Sequence, residues 1–444
     1  MTGLIAAVAA ASIALAAPAP APAPQQSVLT LEQAVDAALE NNQRIAIGEA
    51  GIEEAEAGMR QAGSYRLPRV DFTYLFQRTN NPVYVFGNLL RQQQFTAENF
   101  DLDRLNNPDA LNNFTPQITV TQPIWVGGRV SRRMEAAELA HEAAGHQQAR
   151  TRQEVVFDTV DAYSGAVLAR RHLAVAQEAK ANAEAHVELA TRMRDGGLVV
   201  DSDVLQAQVR SSEASEAVAR ASSAVAVSEA NLNFVIGHPL DAPVVLPDDL
   251  DDAAAGNEDL AQLINEALAN RPDLRATTTQ QGAIDKSIEA ERASYMPEVG
   301  FTGFAESNSA SMFGSQGTNW GIMIGAKITI YDGSGRGAVV DASRAQRRKI
   351  EEQGILLRRG ISLEVTKAYH DIHAAVERVA QADTAIELAR ENLRIVGNRY
   401  SEGLSTSVEL LDAQTALTQA QTRAVGARRD VLMGRAALDL AVGR

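Results

Sequence analysis

Few residues in this chain have the types and spacing that catalysis or metal binding needs. His370 and His373 lie three residues apart on a predicted helix, and His141 and His146 lie farther apart. A zinc site needs three or four converging ligands, and the sequence offers no such set. The segment YDGSGRG at 331–337 resembles the turn that carries a hydrolase nucleophile, but no Ser/His/Asp set accompanies it. We therefore predict no catalytic centre, no metal site and no cofactor.

The composition excludes further classes of function. The chain has 444 residues, a formal charge of −15, only 5% aromatic residues and no cysteine. So acidic a chain is a poor match for nucleic acid, which is bound through basic patches. The absence of cysteine excludes disulfides, a thiol nucleophile and a lipid-modified cysteine. No phosphate-binding loop or dinucleotide fingerprint is present, so we expect any energy source to be a partner.

The amino terminus reads as an export leader. Residues 2–17 are small and apolar, end near the Ala14-Leu15-Ala16 cleavage signal, and run into PAPAPAPQQ. We predict a signal peptide at 1–17 and a stiff Pro/Ala linker at 18–28. The leader lacks a basic residue before its apolar run, which leaves a retained membrane anchor as the alternative. No later run of about 18 apolar residues predicts a transmembrane helix.

The chain contains two copies of one unit, which decides the predicted fold. ALENN at 38–42 matches ALANR at 267–271, and Gly197-Leu198 match Gly403-Leu404. We predict a first repeat at 29–237, an acidic linker at 238–257 and a second repeat at 258–444. The first repeat carries an extra stretch within 77–117, which we expect to form an exposed loop.

Each repeat predicts short helices, two strands and a long helical hairpin. Apolar and polar residues alternate in four segments, which predicts strands at about 68–78, 115–126, 297–307 and 319–331. Proline-free stretches follow, and each predicts a helix of roughly 65 residues, or ~100 Å. Four glycines are predicted to allow the bends from strand to helix: Gly127, Gly128, Gly333 and Gly335.

Four strands cannot close a barrel, and open sheet edges are not tolerated in lipid. Either several chains pool their strands in one membrane barrel, or the strands form a small soluble sheet beside a coiled coil. The leader and the aromatic residues at the strand ends favour the membrane, because Trp and Tyr collect at its interfaces. These aromatic residues are Tyr65, Trp125, Tyr295 and Tyr331.

The order, spacing and duplication of several motifs resemble the TolC family of outer-membrane efflux and secretion channels. The motifs are LTLEQAVDAALENN, the LPRVDF and MPEVGF strand entries, TQPIWVGGR against ITIYDGSGR, and the turns RMRDGGLVVDSDVLQAQ and NRYSEGLSTSVELLDAQ. The resemblance implies an α+β membrane protein: a homotrimer with a twelve-stranded barrel, four strands per protomer, continued by a long α-helical coiled-coil tunnel. It implies the outer membrane of a Gram-negative bacterium and extension into the periplasm. The outer-membrane loops would be about 78–114 and 308–318.

The resemblance also implies partners and site residues. The partners are outer-membrane lipid, a periplasmic adaptor and an inner-membrane transporter, proton-driven or ATP-driven. The residues that meet the adaptor are those of the two Gly-Leu turns, with Tyr400 beside them: Arg194, Gly197, Leu198, Val199, Gly403, Leu404 and Ser405. Asp203 and Tyr400 match a pair that holds the closed tip, and Glu409 and Asp412 match acidic residues that line the entrance.

Ser405 departs from the family pattern, because the best-known member has an arginine there that ties the closed state. We expect weaker closure, or a substitute tie through Arg399 or Arg194. Glu409 has a second interpretation, since Thr406-x-x-Glu409 is also a capping box.

The leading hypothesis is the passive exit duct of a tripartite efflux pump. A type I protein-secretion duct is the alternative, since the transporter chooses the substrate. From other classes, a periplasmic adaptor or a coiled-coil scaffold is disfavoured, and an enzyme is the least favoured because no catalytic set is visible.

Overall fold

The computed structural model describes residues 28–250 and 258–444. The predicted signal peptide at 1–17, nearly all of the linker at 18–28 and the end of the linker at 238–257 lie outside these ranges. No helix within them is both long and apolar enough to cross a membrane.

The two repeats fold with the same order of elements. The first contains α1 (Leu31–Asn41), α2 (Gln43–Ser64), β1 (Arg69–Thr79), α3 (Pro82–Arg91), α4 (Leu102–Asn106), β2 (Leu111–Trp125), α5 (Arg129–Asp195) and α6 (Asp201–Val235). The second contains α7 (Leu260–Asn270), α8 (Pro272–Arg292), β3 (Glu298–Asn308), β4 (Gly317–Lys327), α9 (Gly335–Ser401) and α10 (Ser407–Val442). The additional α3 and α4 lie in the stretch that the sequence predicts to be a loop.

The long helices α5 and α9 have the same length, 67 residues each. At 1.5 Å per residue each is about 100 Å long. No proline interrupts them, and each ends only where a glycine takes a left-handed conformation: Gly197 with φ of 76° and Gly403 with φ of 74°. A return helix then packs against each, so the molecule narrows to two helical hairpins at one end.

The strands form one antiparallel sheet in the order β1-β2-β3-β4. Six of the eight strand bounds lie within two residues of the sequence prediction, and two differ by four. β2 begins at Leu111 instead of 115, because Leu111 pairs with Thr79 at the end of β1. β4 ends at Lys327 instead of 331, because its partner strand begins at Glu298, directly after Pro297, and no paired backbone lies beyond.

The register divides the sheet into two faces, since residues that pair directly across antiparallel strands point to the same side. One face carries large, exposed apolar side chains: Val70, Phe72, Phe76, Ile118, Trp320, Ile322 and Ile324. The opposite face is mostly polar: Asp71, Thr73, Gln77, Gln117, Thr119, Thr302, Glu306 and Asn319. An exposed apolar face of this size needs a cover other than water.

Each repeat has its own buried cluster beside the middle of its long helix, and the two clusters use equivalent positions. The first includes Ala38, Ala162, Leu232 and Ile236, and the second includes Ala267, Ala368, Leu438 and Val442. Alanine at the helix contacts allows close approach of the backbones, which explains the alanine-rich composition.

Polar groups differ between these equivalent clusters. The Asn42 side-chain amide donates to the backbone oxygen of Val235 at 2.7 Å. At the matching place in the second repeat, the guanidinium of Arg271, only 2% exposed, donates to the backbone oxygen of Ala441. Arg271 also pairs with Asp273, at 2.6 Å, and with Glu364. The second repeat therefore buries a charge where the first has a half-buried neutral amide.

The bends from strand to helix require one correction. Gly127, Gly128 and Gly333 have positive φ, as the predicted bends require, but Gly335 is the first residue of α9. The second left-handed residue of this turn is Ser334, with φ of 72°. Ser334 is the repeat counterpart of Gly128. The repeat alignment therefore indicates Ser334 as the left-handed residue, whereas the preference for glycine at such positions favours Gly335.

Candidate functional site: the helical tip

The two turns at the narrow end have the same backbone geometry. In the first, Leu198 N donates to Met193 O at 2.9 Å and Gly197 N to Arg194 O at 2.8 Å. In the second, Leu404 N donates to Arg399 O and Gly403 N to Tyr400 O, at 2.8 and 3.0 Å. This pair of bonds is the Schellman motif, and it needs the left-handed glycine.

Each turn exposes one leucine at the end of the molecule. Leu198 is 70% exposed and Leu404 is 64% exposed. The leucines are repeat counterparts, so the tip presents two matched apolar contacts. Val199, in contrast, is partly buried against the apolar cluster of the tip, so only part of its side chain is accessible to a partner.

The arginines proposed as substitute ties act within their own turns. Arg194 pairs with Asp195 at 2.6 Å, and Arg399 donates to the backbone oxygen of Leu404 at 3.2 Å. Ser405 donates to the Glu409 carboxylate. These three side chains therefore find their polar partners within a single protomer.

The acidic residues of the second turn lie on one exposed face of α10. Glu409 N donates to Thr406 Oγ1 at 3.2 Å, which is half of the predicted capping box. The other half is replaced, because the Glu409 side chain accepts from Ser405 instead of from the Thr406 backbone. Asp412 lies one turn further along and is exposed. The Asp412 carboxylate is therefore exposed to solvent, whereas the Glu409 carboxylate is held by Ser405.

Tyr400 lies inside the tip, with 1% of its surface exposed. Its ring contacts the ring of His186 on α5 with a centroid distance of 5.3 Å, and His186 Nε2 lies 3.4 Å from Ser407 Oγ on α10. Burial raises the pKa of Tyr400, the Ser407 hydroxyl opposes this, and the Asp203 charge adds to it. Burial lowers the pKa of His186, against the charge of Asp203.

This buried cluster joins the two hairpins, because α5, α9 and α10 each supply one group. The charge of Asp203 acts on both Tyr400 and His186, and its carboxylate accepts from Val200 N at 3.4 Å, where it caps α6. The sequence analysis identified Tyr400 and Asp203 but missed His186 and Ser407. The repeat counterpart of His186 is Asn392, so neither spacing nor duplication marked it.

The long hairpins, the two-faced sheet and the matched turns agree with a family comparison. The outer membrane efflux protein family matches residues 34–238 and 263–444, which is most of the chain. The chain belongs to the outer membrane efflux protein family. Proteins of this family are outer-membrane channels of efflux and secretion in Gram-negative bacteria, and they are not enzymes.

Individual relatives support this assignment. The outer membrane efflux protein BepC of Brucella suis is 24% identical and the alignment covers 94% of this chain and 85% of BepC. The alkaline protease secretion protein AprF of Pseudomonas aeruginosa is 23% identical over 91% of this chain and 82% of AprF. The crystal structure of the Campylobacter jejuni CmeC outer membrane channel superposes with a TM-score of 0.80 at 15% identity, over 96% of this chain and 90% of CmeC.

Proposed function

We propose that three copies of this channel protein pool their strands into one twelve-stranded barrel, which the helical hairpins continue as a tunnel into the periplasm. The sheet carries the proposal. Within residues 28–250 and 258–444, β1 and β4 are each hydrogen-bonded to another strand on one side only, and one face of the sheet is apolar and exposed. Closure with two further copies removes the open edges and places the apolar face in lipid.

We propose that this duct serves a tripartite efflux pump, as the exit for small molecules from an inner-membrane transporter. The exposed Leu198 and Leu404 support docking of a periplasmic adaptor at the tip, together with Gly197, Gly403 and Ser405. The duct is passive, and the transporter supplies the energy.

Photo-cross-linking in cells tests this arrangement. A photoreactive residue at Leu404 is expected to capture the adaptor. A matched probe at Phe313, which is 93% exposed at the opposite end of the molecule, is expected to capture none. A folded outer-membrane protein that captures no adaptor from Leu404 would contradict the tripartite arrangement.

The same experiment separates the efflux duct from a type I secretion duct. The second function is favoured by AprF, a protease secretion protein that matches this chain about as well as BepC does. A proton-driven transporter purified with the adaptor supports small-molecule efflux, and an ATP-driven exporter supports protein secretion.

We propose that Asp412 and Glu409 of three protomers form an acidic ring around the entrance. A ring of carboxylates favours cations. Asp412→Asn is expected to lower the cation-to-anion permeability ratio in planar bilayers more than Glu409→Gln, because Ser405 already holds Glu409. Equal ratios in the wild type and in Asp412→Asn would contradict the ring.

Tyr400 and Asp203 are proposed to hold the closed tip. Tyr400→Phe or Asp203→Ala is expected to raise the resting conductance, since each removes a polar group from the cluster that joins the hairpins. Unchanged conductance in both variants would exclude this role.

A further inference from the structure

The stretch between β1 and β2 is the largest difference between the two strand hairpins. Residues 80–110, called here the mouth insert, contain α3, a 3₁₀ turn (Ala97–Phe100) and α4. The insert has its own aromatic contacts, with ring centroids 4.8 Å apart for Phe86 and Phe95 and 5.1 Å apart for Phe95 and Phe100. It is therefore a folded element and not an open loop.

The side of the sheet that holds the mouth insert is fixed by hydrogen bonds. Asn88 of α3 donates to Gln77 Oε1 at 3.1 Å, and Gln92 donates to Asn113 Oδ1 at 2.8 Å. Gln77 and Asn113 pair across β1 and β2, on the polar face. The insert thus lies against the face opposite to Phe72 and Trp320.

The attachment is buried and continues across the sheet. Asn113 Nδ2 also donates to Asn308 Oδ1 on β3 at 2.8 Å, and Asn88, Gln92, Asn113 and Asn308 are all less than 5% exposed. On β4, a Cβ atom placed on Gly317 would lie 1.7 Å from Arg91 O, so the end of α3 rests directly on that strand. Buried amide networks of this kind hold one orientation.

We propose that the mouth insert lies inside the outer end of the channel and forms an exit constriction, which limits the size of what leaves. The inference rests on the proposed barrel, in which the apolar face meets lipid and the polar face lines the lumen. The face of α3 turned away from the sheet exposes Val83, Tyr84 and Leu90. In a closed barrel this face looks toward the axis, where three inserts converge.

Deletion of the insert is a direct test. Thr79 pairs with Leu111, so a two-residue Asn-Gly turn can replace residues 80–110 and keep the strand register. The chain has no cysteine, so Thr302→Cys introduces a single thiol on the polar face. Six residues separate Thr302 from Asn308, which places the thiol about 20 Å below the insert.

The labelling rate of this thiol from outside intact cells is the measurement. A small water-soluble maleimide is expected to react with and without the insert. A polymer-linked maleimide is expected to react about tenfold faster after deletion, which corresponds to about 1.4 kcal/mol in the barrier. Equal rates for the polymer reagent in both proteins would overturn the constriction.

A point substitution keeps the test valid if the deletion does not fold. Gly317→Ala is expected to displace the end of α3 and to speed the polymer reagent severalfold. Gly325→Ala is the matched control, because Gly325 lies on the same face of β4 with no atom within 4 Å of its added Cβ. The same rate in both glycine variants as in the wild type would also overturn the constriction.

A second thiol separates failure of this inference from failure of the barrel itself. Ile322→Cys lies on the apolar face and is expected to resist the small water-soluble maleimide. If Ile322→Cys reacts with it and Thr302→Cys does not, the faces are reversed and the proposed pore is wrong. If only the polymer result fails, the pore stands and the constriction does not.

Discussion

The two repeats share one plan but use different chemistry at equivalent positions. Asn42 and Arg271 both bind a backbone oxygen near the end of a return helix, and only Arg271 brings a charge with two carboxylate partners. Gly128 and Ser334 share a left-handed backbone. The two repeats therefore share the path of the backbone, while different side chains satisfy the same backbone groups in each.

The buried charge predicts the largest difference between the repeats. Arg271→Asn copies the first repeat and leaves Asp273 without its hydrogen-bonded cation, so we expect a loss of about 3–5 kcal/mol in the free energy of unfolding. Asn42→Ala is expected to lose only about 1–2 kcal/mol, because it removes the neutral bond to Val235 O and the cap on Arg44 N. Guanidinium unfolding in detergent, followed by circular dichroism, measures both. Equal losses would show that the charge has no special role.

The effect of Arg271 is expected to depend on pH. Burial raises the pKa of Asp273, but the hydrogen bonds and charge of Arg271, together with the charge of Arg150, outweigh this and hold the pKa below its usual range. A lowered pKa in the folded state gives stability that is present above about pH 4, the ordinary aspartate value, and is lost as the pH falls further. The difference between the wild type and Arg271→Asn should therefore shrink below that pH.

The bends from strand to helix predict a second difference in stability between the repeats. A Cβ at Gly127 would lie 2.6 Å from Met296 Cβ and 2.9 Å from Ala293 O, whereas Gly333 has no atom within 4 Å. Gly127→Ala combines backbone strain with a clash, and we expect a loss of about 3 kcal/mol. Gly333→Ala has strain alone, about 1–2 kcal/mol. The temperature at which folded electrophoretic mobility is lost should fall more for Gly127→Ala.

A reciprocal exchange sharpens the comparison at the neighbouring position. Ser334→Gly relieves the left-handed strain and should gain about 1 kcal/mol, and Gly128→Ser should lose about as much. The nearest atom to a Cβ on Gly128 is Ser131 Oγ, at 3.8 Å, so the exchange adds no clash. Denaturation midpoints measure both, and shifts of the same sign would contradict an origin in backbone strain.

The smallest expected difference lies at the tip. α10 begins after Thr406, whose hydroxyl caps Glu409 N, whereas the counterpart before α6 is Val200. Thr406→Val should cost about 1 kcal/mol in the first turn of α10, and Val200→Thr should stabilise the first turn of α6 by a similar amount. Hydrogen exchange of these turns is the measurement. Unchanged exchange in both would contradict the cap.

Much of the fold follows from the sequence, because each motif that is weak by itself occurs a second time at the equivalent position of the other repeat. The positions of Gly197 and Gly403 predict both tip turns, and alternation predicts the strands to within about four residues. The helices of the mouth insert were not predicted, since their order depends on Asn88 and Gln92 meeting distant strands. His186 and Arg271 were also missed, because burial of a polar side chain depends on contacts that local spacing does not encode.

The equal length of α5 and α9 constrains how this protein changes over time. Both hairpins must end at the same depth, or the paired leucines no longer stand level. One extra helical turn in either copy would stagger them by about 5.4 Å. Substitutions at the exposed positions of α5 and α9 leave this match intact, while an insertion in one repeat alone breaks it. The lengths of α5 and α9 are therefore expected to change only together.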